Sequence, residues 1–132
     1  MNTYASSRKS VRVLVVDDYP NVADPLANVL CDKGYEAVAV HSGEEALRVA
    51  EQFMPHVLIA DVMMPELNGV ELVYTFAEKF PTCRAVLMTA KHWPEELSIC
   101  ELQLKVFQKP FDLEQFFEFL ASAVPVAAGS PS

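Results

Sequence analysis

Apolar residues fall into two kinds of run along this chain. Short blocks rich in β-branched residues alternate with longer stretches in which apolar positions recur every three or four residues. Residues 11–16 (VRVLVV) form the first block, with the composition of a parallel strand covered on both faces. Residues 21–32 follow, with Val22, Leu26, Val29 and Leu30 at helical spacing. Gly34 stops that helix, and Pro25 is tolerated only because it lies near the helix start. Residues 35–40 read as a second strand. Ser42 and Glu45 form a capping box that opens a helix running to about Phe53. Residues 56–60 (HVLIA) are a third strand, followed by a helix from about Val70 to Lys79. Residues 84–88 (RAVLM) are a fourth strand, and 94–101 a short helix with Pro94 at its first position. Residues 104–108 are a fifth strand. A last helix, capped by Asp112 and Gln115, runs to about Ala123.

Five strands alternating with five helices predict an α/β fold, a doubly wound five-stranded parallel sheet flanked by helices. The predicted domain spans 11–124, with flexible tails at 1–10 and 125–132, both rich in small or polar residues. Ligands of such sheets bind beyond the carboxyl ends of the strands.

Composition narrows the function. The chain has 132 residues, 52% hydrophobic, and a net charge of -8. That supports one packed domain and disfavours nucleic acid or anionic lipid as partner. Cys31, Cys83 and Cys100 show no disulfide or zinc spacing, and no segment has the length of a membrane span. These features predict a cytoplasmic protein with reduced thiols.

The strand ends carry the chemistry. Strand one runs into Asp17 and Asp18, strand three into Asp61, strand four into Thr89 and Ala90, strand five into Lys109 and Pro110. Each alone is weak, since polar residues at strand ends are common; the combination is specific. Three carboxylates packed together repel, and a hard divalent cation removes that repulsion. An all-oxygen set suits Mg²⁺, with Mn²⁺ as the other ion expected to fit. Lys109 and Thr89 then supply a cation and a hydroxyl donor to phosphoryl oxygens, and Asp61 is the candidate carboxylate nucleophile.

These residues resemble the receiver domain of bacterial two-component response regulators. The motifs are V-V-D-D at 15–18, D-V-M-M-P-E-L-N-G at 61–69, M-T-A at 88–90 and Q-K-P-F at 108–111, and the resemblance covers about residues 11–124. It implies a flavodoxin-like, receiver-type fold and a regulatory phosphoacceptor rather than a conventional enzyme. It implies Asp61 as the phosphorylated residue. Asp18, Asp61 and the backbone carbonyl of Met63 would ligate the metal directly, and Asp17 through a bound water. Thr89 would be the switch hydroxyl and Lys109 a phosphoryl contact, followed by a cis bond to Pro110. The implied partners are a histidine kinase or phosphotransfer protein and a downstream protein, with the chain a monomer or weak dimer. No output domain follows within these residues, so a single-domain, stand-alone regulator acting through protein contacts is the expectation.

The chain departs from the family pattern at Val106, where members usually carry an aromatic switch residue. Phe107 is adjacent, but strand alternation points it to the opposite face. Thr89 and Lys109 are only 20 positions apart (109 − 89), closer than is usual. Movement of the 89–93 loop, reported by Trp93, is therefore the expected switch. The last helix is expected to bury Leu113, Phe116, Phe117, Leu120 and Val124 and to expose Phe119. With Trp93, Leu97 and Val106, Phe119 makes up the expected output surface.

Two other readings compete. A degenerate receiver would bind partners without being phosphorylated; the lost aromatic favours it, the retained acidic and basic set opposes it. A flavin carrier of similar topology needs a Gly/Ser/Thr-rich phosphate loop where this chain has Asp17-Asp18-Tyr19-Pro20.

Overall fold

A computed structural model describes residues 11–62, 64, 68–89, 105–108 and 113–123. The strands are β1 (Arg12–Val16), β2 (Glu36–Val40), β3 (Val57–Asp61), β4 (Arg84–Thr89) and β5 (Lys105–Gln108). The helices among these residues are α1 (Pro20–Asp32), α2 (Gly43–Phe53), α3 (Gly69–Lys79) and α4 (Leu113–Ala123). All four strand pairings are parallel, in the order β2-β1-β3-β4-β5. The sheet is the doubly wound one expected. The short helix expected at 94–101 and the Asp112 cap lie outside the described residues.

Parity along the strands divides the core in two. Val13, Val15, Val57, Ile59, Val86 and Met88 turn to one face, where Leu26, Leu30, Phe116 and Leu120 cover them. Leu14, Val16, Leu58, Ala60 and Leu87 turn to the other, under Ala46, Ala50, Leu72, Val73 and Phe76. The first set is roofed by α1 and α4, the second by α2 and α3. β3 is buried at every position, as the central strand of a two-sided sheet must be.

Helix ends follow local chemistry. Pro20 opens α1, one residue ahead of the expected start, where its missing N–H has no intrahelical partner to lose. Gly34 adopts φ 101° just past that helix. Its N–H donates to the Cys31 carbonyl at 3.0 Å, and the Tyr35 N–H to the Leu30 carbonyl at 3.1 Å, which closes a Schellman turn. The Ser42 side chain accepts from the Glu45 N–H at 3.0 Å. The Glu45 carboxylate accepts from the His41 N–H at 3.1 Å rather than from Ser42, so the box closes one residue early. Asn68 and Glu71 form a complete reciprocal box at the start of α3.

Two expectations for α4 need correction. Leu113 is 40% exposed although its angular position suits the core, because it sits in the first turn, ahead of the contacts that Phe116 and Leu120 make. Phe119 is not exposed but half-buried. Its ring meets Phe107 of β5 edge-on, centroids 5.7 Å apart. The apolar arc of α4 is wider than a single stripe, since β5 carries an aromatic on the α4 side of the sheet. Val106 takes the opposite parity and packs with the core under α2 and α3, as alternation requires.

Candidate functional site

β1 and β3 lie side by side in parallel, with Val16 paired to Ala60. Asp17 follows β1 and Asp61 ends β3, so the two carboxylates meet at the carboxyl edge of the sheet. Asp18 is the next residue. One oxygen from each of Asp17, Asp18 and Asp61 lies within 4.8 Å of the others. Asp17 is fully buried and Asp61 nearly so, at 5% exposure, which places both carboxylates in a setting of weak solvent screening.

The turn after β1 is tied down locally. The Asp17 N–H donates to the Val40 carbonyl of the neighbouring strand at 3.2 Å. The Asp17 Oδ1 accepts from the Tyr19 N–H at 3.0 Å, an Asx turn that leads into α1. Among the described residues, Asp18 Oδ1 is buried and meets no hydrogen-bond partner. A buried carboxylate oxygen without a donor is costly unless something else satisfies it. A hard cation fits that need: the donor set is all oxygen, the three groups are close, and one oxygen is unsatisfied.

A residue without an assigned role in the sequence reading shapes the other wall. Gly69 opens α3 against the backbone of Asp61. A Cβ there would come within 2.8 Å of the Asp61 carbonyl carbon and closer still to its oxygen. The Gly69 N–H donates to the Val62 carbonyl at 3.1 Å, fastening the helix start beside the end of β3. Only glycine lets the helix approach the Asp61 backbone so closely. The motif at 61–69 contained this glycine, but its role depends on how α3 folds back, which linear spacing does not show.

Thr89 ends β4 and is 2% exposed. It shares its face of the sheet with Leu87, whose register partner is Val106. A switch aromatic at 106 would therefore lie one pleat below Thr89; here a smaller valine occupies that place. Met64 is buried in the core under α2 and α3, in line with a packing role. Met63, Ala90, Trp93, Leu97, Lys109 and Pro110 lie outside the described residues. The structure thus brings Asp17, Asp18 and Asp61 together, with Thr89 at the end of the adjacent strand.

Comparison with known proteins agrees with this geometry. The family model described as response regulator receiver domain matches residues 13–121. The transcriptional regulatory protein MctR of Rhizobium johnstonii is 30% identical over 95 residues, covering 70% of this chain. The chain spans less than half of that relative, 44% of its length. The Vibrio cholerae chemotaxis protein CheY4 superposes with a TM-score of 0.76 at 28% identity, over 85% of this chain and 97% of that one. The response regulator TrrA from Thermotoga maritima, in complex with Mg(2+)-BeF, gives a TM-score of 0.75 at 30% identity, again over 85% and 97%.

Proposed function

The chain belongs to the response regulator receiver domain family, and on that premise we propose that it accepts a phosphoryl group on Asp61 from a histidine kinase or phosphotransfer protein. The observation that carries the reading is the convergence of Asp17, Asp18 and Asp61 within 4.8 Å, with one buried oxygen of Asp18 meeting no partner among the described residues. Asp18, Asp61 and the Met63 carbonyl would hold the ion, Mg²⁺ or Mn²⁺, and Asp17 would act through a water. Bound there, the ion would supply positive charge that offsets the carboxylates and the oxygens of an incoming phosphoryl group.

The transfer balances simply. A carboxylate oxygen of Asp61 forms the new O–P bond as the donor's N–P bond breaks, and the donor imidazole leaves with its electron pair and takes up a proton. Burial of Asp61 keeps competing water away from the acyl phosphate. Thr89 donates its hydroxyl to a phosphoryl oxygen and Lys109 supplies the opposing positive charge. Output then passes to a downstream protein. Among the described residues no helix is long and apolar enough to cross a membrane, and a cytoplasmic two-component role suits the reading.

The test is intact-mass measurement after incubation with acetyl phosphate and Mg²⁺. The parent should gain one phosphoryl adduct and Asp61→Asn none, with the variant's circular dichroism unchanged. An undiminished adduct on Asp61→Asn moves the acceptor elsewhere. No adduct on the folded parent under these conditions favours the binding-module reading.

A further inference from the structure

The aromatic that receivers usually carry at the Val106 position is replaced by one a single residue further on, and that shift changes which helix it touches. Phe107 turns to the α1 and α4 side of the sheet. Its ring lies edge-on to Phe116 at 5.2 Å and to Phe119 at 5.7 Å, both on α4.

Register places this ring in line with the acidic site. Asp61 pairs with Met88, and Met88 pairs with Phe107. Alternation puts all three on one face, since Val57, Ile59 and Met88 belong to the core on which Phe107 packs. The residue after Asp61 is bonded into the same row, because the Val62 N–H donates to the Met88 carbonyl at 2.8 Å. Met88 and Phe116 are both fully buried in one core, and close packing of such interiors passes a displacement of one on to its neighbours.

We propose that the state of Asp61 is communicated to α4 along the cross-strand row Asp61–Met88–Phe107 and through the edge-on contacts of Phe107 with Phe116 and Phe119, on the face opposite Val106. The inference rests on Asp61 being the phosphoacceptor and adds the regulatory route from it. A new dianionic group on Asp61 changes the charge at the end of β3 and shifts the hydrogen-bonded ends of β3 and β4. Met88 moves with that backbone, and Phe107 must re-seat against α4. Edge-on ring pairs have preferred geometries, so re-seating favours discrete arrangements over a graded drift.

The experiment uses the full chain with ring-labelled phenylalanine, methyl-labelled methionine and ¹⁵N-labelled amides, followed by NMR before and after acetyl phosphate with Mg²⁺. Intact mass is read on the same samples. The Met88 methyl and the Phe107, Phe116 and Phe119 rings should shift on phosphorylation. Phe107→Leu should still take up the phosphoryl group but lose most of the response of the α4 amides, while Val106→Ala keeps it. Should Phe107→Leu fail to fold, Phe119→Leu provides the same break from the α4 side. A phosphorylated parent whose Phe116 and Phe119 rings do not move overturns the route alone. A folded parent that takes no adduct overturns both the route and the phosphoacceptor reading. Loss of the α4 response in Val106→Ala but not in Phe107→Leu assigns the signal to the other face of the sheet and overturns the route.

Discussion

The two ends of the sheet solve the same problem, how to finish parallel strands, in opposite ways. At the amino end, His56 and Arg12 exchange bonds. The Arg12 N–H donates to His56 Nδ1 at 2.9 Å, and the His56 N–H donates to the Arg12 carbonyl at 2.8 Å. The Arg84 N–H donates to the His56 carbonyl at 2.8 Å, extending the tie to β4. The Arg12 Nε reaches the Phe53 and Met54 carbonyls at 2.8 and 3.0 Å and so closes the end of α2. There Met54 takes the left-handed conformation, φ 52°. At the carboxyl end, three carboxylates crowd together and, among the described residues, an Asp18 oxygen meets no donor. One end is closed by hydrogen bonds; the other gathers carboxylates and leaves an oxygen unmatched among the described residues. Local stability is given up where the chemistry is.

The largest test of this contrast reverses the sign of a mutational effect. Asp18→Asn removes one of three repelling charges, so without divalent ions the variant should unfold at a higher temperature than the parent. Disturbing an outer partner of a metal ligand costs about 10–100-fold in affinity, so loss of a direct ligand should weaken Mg²⁺ binding by at least about tenfold. The stabilisation that Mg²⁺ gives the parent should shrink accordingly. Calorimetric titration and thermal melts with and without Mg²⁺ read both effects. A variant that is less stable than the parent without metal, or that binds Mg²⁺ equally well, removes the distinction between the two ends.

A smaller effect is expected at Gly69. Gly69→Ala drives a methyl into the Asp61 carbonyl, so the start of α3 or the end of β3 must shift. Overpacking of this kind costs about 1–3 kcal/mol, readable as a lower denaturant midpoint. Because the displaced backbone belongs to Asp61, phosphoryl uptake from acetyl phosphate should slow even where the variant is fully folded. Normal uptake with lost stability would make Gly69 a packing residue only.

How much of this was legible in the sequence depends on how local each cause is. β-branched runs marked the strands, because a strand buried on both faces leaves no choice of composition; β3 is the clearest case. The opposite facing of Val106 and Phe107 also followed from parity alone. The meeting of Asp17 and Asp61 followed once the strands were parallel, since both stand at carboxyl ends. What linear reading missed involves a partner from elsewhere in the chain. Phe119 was read as exposed because a helical pattern knows nothing of the Phe107 ring that reaches it. Gly69 gained its role only from the approach of α3 to the Asp61 backbone. The bond of His56 to the Arg12 amide likewise needed β1 and β3 in register.

The smallest effect concerns that histidine and sharpens the contrast by pH. Burial first, then the nearby Arg12 charge, lowers the His56 pKa below its ordinary value of 6.5, while Glu36 opposes them. The geometry agrees in direction. Nδ1 must be unprotonated to accept from the Arg12 N–H, and protonation would set two donors face to face beside a guanidinium. Between 6.5 and the lowered folded value, the unfolded chain therefore binds more protons at His56 than the folded one does. The contribution to stability is fully present above about pH 6.5 and is lost as pH falls from there through the folded value. One proton limits the slope to about 1.4 kcal/mol per pH unit, and the partial burial of His56 keeps the effect well under that limit. His56→Asn keeps an acceptor oxygen for the Arg12 amide but does not titrate. Denaturant midpoints of the parent should fall more steeply than those of the variant between about pH 7 and pH 5. Phosphoryl uptake at pH 7 should be the same in both, because His56 stands at the opposite end of the sheet from Asp61. Parallel pH profiles would remove the histidine from the account of that end. Slower uptake in His56→Asn would show that the two ends are coupled rather than separate.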